Sequence, residues 1–202
     1  MTARLGVLLS GRGSNFVALQ ESIATGNLQG AEIVTVLSNL EEAPGLKKAG
    51  DLGLSARAIP HKGHKRREHD RLMVEALREA EVDWVCLAGY MRLLTPVFTE
   101  AFPQRILNIH PSLLPAFPGL DAQRQAWEYG VTVSGCTVHL VDEGMDTGPI
   151  VGQSSVDISE CGEAGDVSRK ILAAEHQLYS EALSKLIHCP WEVVGRRVVF
   201  GN

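Results

Sequence analysis

The stretch Leu107-Asn108-Ile109-His110-Pro111 sets an amide and an imidazole two positions apart in an apolar run that ends on a proline. In an extended chain, side chains two apart point the same way, so Asn108 and His110 share one side while Ile109 faces the other. An asparagine amide donates to an oxygen that gains negative charge, and an imidazole donates, accepts or carries a proton. The pair suits addition to a carbonyl; it would equally serve to tie down the restricted loop between Pro111 and Pro115. Asp146, in Met145-Asp146-Thr147-Gly148-Pro149, is a carboxylate that would favour the imidazolium and fix its tautomer if the fold brought it to His110. Spacing does not show that, since 36 residues separate the two, and an aspartate beside glycines is also an ordinary turn former.

Three other places hold residues suited to chemistry. Ser10-Gly11-Arg12-Gly13-Ser14-Asn15 follows an apolar run and precedes a helical pattern. Glycines let a backbone approach a ligand closely, and a helix start offers N–H groups and the positive end of the dipole, so a phosphate monoester fits there. The same turn also reads as a tight strand-to-helix connection capped by Ser14 or Asn15. It is not the dinucleotide fingerprint: Phe16 stands where the third glycine belongs, and Ser38-Asn39 rather than an acid closes the second apolar run. No Gly-Lys-Ser/Thr follows, which excludes a P-loop. Glu175 lies about 40° from Ile171 on a helical wheel, at the edge of an apolar stripe, where a substrate amine or an internal arginine would answer its charge. His61, His64 and His69 with Asp70 form a histidine cluster without a ligand spacing such as H-E-x-x-H, and the lysines and arginines around them oppose a cation. That segment reads as solvated and basic, and no metal is expected. No cysteine carries a nucleophile signature and no serine sits in G-x-S-x-G.

The elements that must position these residues alternate. Leu5 to Leu9, Glu32 to Leu37, Val82 to Leu87 and Arg105 to Ile109 are continuous apolar runs suited to strands covered on both faces. Helices are expected near Ser14 to Ala24, Pro44 to Leu52, Lys65 to Ala80 and Thr95 to Ala101, the last with a threonine hydroxyl as cap and Pro96 in its first turn. Thr132 to Val141 and Pro149 to Ile158 read as two longer strands joined by the loop Asp142 to Gly148. A long amphipathic helix over Asp166 to Ile187 and a small hairpin over Trp191 to Phe200 complete the chain. The expected fold is α/β and Rossmann-like: a mostly parallel sheet with helices on both faces and a partly antiparallel C-terminal portion.

Composition limits the function classes. With 202 residues, 45% of them apolar, the chain can bury a substantial core as one domain. A formal charge of -5 gives no general attraction to nucleic acid or an anionic membrane, so neither is expected as a partner. Cys86, Cys136, Cys161 and Cys189 are widely spaced without a C-x-x-C pair and read as reduced, mostly buried residues of a cytoplasmic protein. The first apolar run is too short for a signal-peptide core, and nowhere do about 18 apolar residues follow one another.

Taken together, Ser10 to Asn15, Ala88-Gly89-Tyr90-Met91-Arg92-Leu93-Leu94, Asn108 to Pro115, Pro118-Gly119-Leu120, His139 and Asp146 to Pro149 closely resemble the phosphoribosylglycinamide formyltransferase family, in order from about Leu5 to Tyr179. The resemblance implies formyl transfer from 10-formyltetrahydrofolate, as co-substrate, to the primary amine of glycinamide ribonucleotide in purine synthesis, without a metal. It implies Asn108, His110 and Asp146 as the catalytic three. Gly13, Ser14 and Asn15 match the family's phosphate-binding turn, and Glu175 its carboxylate toward the substrate amine. For the folate it implies Met91, Arg92, Leu93 and Leu94, the loop residues Val141, Asp142, Glu143, Gly144, Met145 and Asp146, together with Asn108 and Arg66. Arg67 competes with Arg66 because the correspondence there is loose. Leu172 departs from the family's polar or basic residue at its position.

The implied organisation is a single formyltransferase domain over 1–202, with a nucleotide-binding half at 1–105, a catalytic and folate-binding half at 106–189 and a short tail at 190–202. A monomer or homodimer acting on small molecules is expected. The same trio is shared by formyltetrahydrofolate deformylase, a hydrolase with an additional amino-terminal regulatory domain, and by methionyl-tRNA formyltransferase, with a basic carboxyl-terminal domain. A chain that begins at the first strand and carries net negative charge favours the ribonucleotide enzyme, with the deformylase as the alternative.

Overall fold

The computed structural model describes residues 2–201. These form two compact units that divide after Asn108, within a strand.

The first unit is built from strand–helix repeats: β1 (Ala3–Leu9), α1 (Ser14–Ala24), β2 (Ala31–Ser38), α2 (Pro44–Asp51), β3 (Ala56–Ala58), α3 (Arg66–Glu79), β4 (Trp84–Leu87), α4 (Pro96–Ala101) and the start of β5 (Ile106–His110). The strands lie in the order β3-β2-β1-β4-β5, and every pairing is parallel. Their apolar runs are buried on both sides: Leu5, Val7, Leu8, Leu9, Val85 and Cys86 are all fully enclosed. That is why these segments read as unbroken apolar stretches rather than alternating ones. The chain leaves β1 toward β2 on one side and later returns to β4 on the other. The carboxyl ends of β1 and β4 therefore flank the switch in strand order, the place where open α/β sheets leave a crevice for ligands.

The second unit contains the end of β5, α5 (Ala122–Tyr129), β6 (Val133–Leu140), β7 (Ile150–Asp157), α6 (Ala164–His188), β8 (Trp191–Val194) and β9 (Arg197–Phe200). β6 and β7 are antiparallel, β9 joins β7 in parallel and β8 closes the edge as a hairpin with β9. α6 opens on a capping box between Glu163 and Asp166 and buries Val167, Ile171, Leu178 and Ala182 along one stripe.

Five details differ from expectation. β3 and α5 have no counterpart in the sequence reading. Thr95 does precede Pro96 at the head of α4, but its hydroxyl caps nothing; its own N–H is taken by Asp70 Oδ2 at 2.7 Å. His69 and Asp70 are not solvated: both have zero exposure, because the buried face of α3 runs through 69, 70, 73, 74 and 77 at helical spacing. Cys86 and Cys136 are buried as expected, whereas Cys189 is exposed just past α6.

Candidate active site

In the first unit the turn after β1 is shaped by Gly13, whose φ of 66° lies in the left-handed region. A Cβ there would stand 3.1 Å from the Gly45 Cα, so both conformation and space call for glycine. Gly13 itself is the N-cap residue, and neither Ser14 nor Asn15 caps α1, contrary to the simpler of the two sequence readings. The first amides of a helix have no partner inside it. Here no side-chain cap answers them, which is the disposition an anion uses. Ser14 is half-buried and Asn15 buried.

After β4 the chain runs without regular structure through Tyr90 to Thr95. Met91 and Leu93 are exposed at 65% and 48%, while Leu94 turns inward. Burial pushes the Tyr90 phenol well above its ordinary range, the charge of Asp70 adds to this, and Arg92 opposes it. Arg66 and Arg67, both exposed, open α3, so geometry does not choose between them. Asn108 sits near the end of β5 in register with Leu87 at the end of β4.

In the second unit the spacing of 36 residues between His110 and Asp146 collapses to a contact. Nδ1 of His110 lies 3.4 Å from Asp146 Oδ2, with side-chain exposures of 5% and 14%. The other ring nitrogen, Nε2, donates to the Phe117 carbonyl at 2.9 Å. That bond fixes the ring: Nε2 carries a proton, and Nδ1 faces a carboxylate just beyond strong hydrogen-bonding range. Asp146 has a left-handed φ of 56° and accepts the Gly119 N–H at 2.8 Å, so it is a turn residue whose side chain is also aimed. The hairpin loop that carries it is tight. A Cβ on Gly148 would run into the Leu140 carbonyl oxygen, and Asp142 Oδ1 accepts both the Gly144 N–H and the Thr147 hydroxyl. The segment after His110 is pinned in turn. The Ser112 hydroxyl donates to Ala116, and Thr137 joins the Ser112 carbonyl, the Leu114 N–H and the Gln153 amide at 2.7 to 3.0 Å.

A second imidazole stands at the same carboxylate. His139 Nε2 is 3.8 Å from Asp146 Oδ1, and Nδ1 lies 2.9 Å from the Leu140 carbonyl, to which it donates. Burial holds His139 below its ordinary pKa, against the raising effects of the Leu140 bond and Asp146. With His139 kept neutral, the charge of Asp146 is directed at His110. In the sequence His139 is one of the residues that carry the resemblance but has no role implied by it, and by itself it is a histidine in the apolar run Thr137-Val138-His139-Leu140, a pattern a satisfied core histidine shares.

Glu175 is 5% exposed on α6, deeper than the edge position the helical wheel suggests. Its surroundings include β6, where burial and then the Glu175 charge push the Cys136 thiol up to about 12. Leu172, the departure from the family pattern, is half-buried on the same helix. Among the described residues no group of three His, Cys, Asp or Glu side chains could hold a metal ion.

A family model described as formyl transferase matches residues 3–183. The trifunctional purine biosynthetic protein adenosine-3 of Drosophila pseudoobscura pseudoobscura is 45% identical over 186 residues, covering 91% of this chain. The chain spans only 14% of that protein's length. The phosphoribosylglycinamide formyltransferase of Bacillus subtilis is 37% identical over 185 residues, covering 91% of this chain and 94% of that protein. Among solved structures, glycinamide ribonucleotide transformylase 1 from Symbiobacterium toebii superposes with a TM-score of 0.96 at 44% identity, covering 100% of this chain and 95% of the other. The chain belongs to the formyl transferase family, and within it to the phosphoribosylglycinamide formyltransferases.

Proposed function

We propose that the chain transfers the formyl group of 10-formyltetrahydrofolate to the primary amine of glycinamide ribonucleotide, with Asn108, His110 and Asp146 acting at the reacting carbonyl. The observation that carries this reading is the 3.4 Å approach of Asp146 to a histidine whose other nitrogen is already committed to Phe117. It leaves Nδ1–H as the one donor of the His110 ring without a hydrogen bond among the described residues, and it sets a carboxylate beside that donor to balance the charge.

The reaction follows from these groups. The amine nitrogen attacks the formyl carbon; a C–N bond forms and the carbonyl π pair moves to oxygen. That oxygen takes hydrogen bonds from the Asn108 amide and His110 Nδ1–H, both stronger to an oxyanion than to a neutral carbonyl. Collapse breaks the bond to the folate N10. The attacking nitrogen loses a proton and the departing nitrogen gains one, through water held by Asp146 and His110. The products are a formamide and tetrahydrofolate, with no covalent enzyme intermediate.

Gly13, Ser14 and Asn15 hold the ribonucleotide phosphate in this reading, and Glu175 meets its amino end. Met91 to Leu94, Val141 to Asp146, and Arg66 or Arg67 receive the folate. The uncapped start of α1 supports the phosphate assignment, and the exposed Met91 and Leu93 support the folate one. We assign the whole of 1–202 to one formyltransferase domain working in the cytoplasm on these small molecules, as a monomer or homodimer.

The test is a spectrophotometric assay of formyl-folate consumption with and without glycinamide ribonucleotide. Consumption that requires the ribonucleotide supports transfer. Equal consumption without it would assign the chain to hydrolysis.

A further inference from the structure

One side chain ties together the two segments that leave the carboxyl ends of β1 and β4. The Ser10 N–H donates to the Gly89 carbonyl at 3.0 Å, and its hydroxyl accepts the Met91 N–H at 2.8 Å while donating to Asn39 Oδ1 at 2.6 Å. Asn39 is held in turn. Nδ1 of His61 lies 3.0 Å from both its side-chain nitrogen and its carbonyl oxygen, accepting from the first in one tautomer and donating to the second in the other. At the end of β2, where dinucleotide folds carry an acid for a ribose, this chain therefore carries an amide that orients the Ser10 hydroxyl.

The same segment is fastened again four residues later. The Thr95 N–H donates to Asp70 Oδ2 at 2.7 Å. Asp70 is fully buried, and its other oxygen has no hydrogen-bond partner among the described residues. The nearby His69 gives Nε2–H to the Ile59 carbonyl at 2.7 Å and stays 3.9 Å away through Nδ1. Burying a carboxylate to hold a single backbone amide is unfavourable for stability alone. Between the two anchors Met91 and Leu93 stand exposed. Apolar side chains held out to solvent on a backbone fastened at both ends make an edge for a flat, largely apolar ligand rather than a packed loop.

We propose that Ser10 and Asp70 are positioning residues for the folate: by fixing the amides of Met91 and Thr95 they hold Met91 to Leu94 in its binding conformation before the folate arrives. This inference rests on the assignment of Met91 to Leu94 to the folate. Neither residue touches the reacting atoms, so loss of either anchor weakens folate binding and spares the chemistry.

The experiment measures kcat and the two KM values for Ser10→Ala, Asp70→Ala and Asp70→Asn, with Leu93→Asp as a direct disruption of the proposed folate edge. Loss of one anchoring hydrogen bond raises the folate KM by about three- to tenfold, with kcat and the ribonucleotide KM within about twofold of the parent. Asp70→Asn, which keeps an oxygen for the Thr95 N–H, recovers most of what Asp70→Ala loses. A folded Ser10→Ala with unchanged folate KM, or a loss spread evenly over kcat and both KM values, overturns the proposal. If Asp70→Ala fails to fold, Ser10→Ala and Asp70→Asn decide it. A Leu93→Asp variant with normal folate KM removes the folate assignment itself and this inference with it. An effect of Leu93→Asp without one of Ser10→Ala removes only the positioning role.

Discussion

Asp146→Asn changes no heavy-atom shape and removes the charge that faces the His110 ring. The amide oxygen keeps the Gly119 N–H, which Asp146 now accepts at 2.8 Å. That oxygen is also the one 3.4 Å from His110 Nδ1, so the amide nitrogen takes the other place, 3.8 Å from His139 Nε2, and His110 is left with a neutral oxygen beside Nδ1 in place of a charged one. Without the carboxylate charge the protonated ring loses its balance, and with Nε2–H held on the Phe117 carbonyl the neutral ring is the one with no proton at Nδ1. Two independent magnitudes converge. At 3.4 Å and an effective dielectric of about 20, the attraction between the protonated ring and the carboxylate is about 5 kcal/mol. Removal of one oxyanion donor elsewhere costs about 3–4 kcal/mol. Partial exposure of Asp146 and substitution by a dipole reduce the first figure, and an expected loss of about 3–4 kcal/mol corresponds to a fall in kcat of roughly 100- to 1000-fold. Steady-state folate assays at saturating ribonucleotide measure it, with circular dichroism as the check on folding. A folded variant with kcat within about threefold of the parent would refute the role given to Asp146 and the Nδ1 donor argument with it.

Other expectations follow from the same geometry. His110→Ala removes the donor outright and should lower kcat by about two or more orders of magnitude with folding intact; near-normal turnover would exclude the assigned role. Ser14→Ala or Asn15→Ala should raise the ribonucleotide KM while leaving the folate KM in place, and an unchanged ribonucleotide KM would argue against the phosphate turn. Gly13→Ala forces a side chain into a left-handed φ against the Gly45 backbone and should cost about 1–2 kcal/mol in chemical denaturation; a neutral result would contradict the tight-turn account. His139 is held neutral in the fold by burial, so below about pH 6.5 the unfolded chain binds a proton there that the folded chain resists. Its contribution is fully present above that pH and is lost as pH falls toward the lowered native value. Denaturation curves of His139→Gln should therefore fall less steeply between pH 6.5 and 5 than those of the parent; parallel curves would refute the burial argument.

The elements that were legible in the sequence are those whose residues answer to one strong local rule. β1, β2, β4 and β5 are largely apolar runs because both their faces are covered, and glycine or proline marks where β1, β4 and β5 stop. β3 offered no such pattern: Ala56-Arg57-Ala58 is three residues long and largely exposed. α5 buries only Ala122 and Ala126, small side chains that leave little trace beside exposed Trp127 and Tyr129. Thr95 obeys the capping rule in sequence and fails it in space: the Phe98 N–H that its hydroxyl would accept goes to the Thr95 carbonyl oxygen at 2.8 Å. The candidate site divides in the same way. Asn108 and His110 were readable together since a strand places residues two apart on one side. The approach of Asp146 to His110 depends on a hairpin loop folding back and was carried by family resemblance alone, and the approach of His139 to Asp146 was not foreseen. Asn39 was visible only as a missing acid, and its bond to Ser10 gives that absence a physical content.

Direct transfer to the amine is the central claim, and isotope tracing tests it in one measurement. The enzyme is given 10-formyltetrahydrofolate carrying carbon-13 in the formyl group, together with glycinamide ribonucleotide, and the products are resolved by mass spectrometry. The account predicts the label in the formylated ribonucleotide, in step with tetrahydrofolate release and with no labelled formate. Labelled formate formed at the rate of folate turnover, with an unlabelled ribonucleotide, would contradict it.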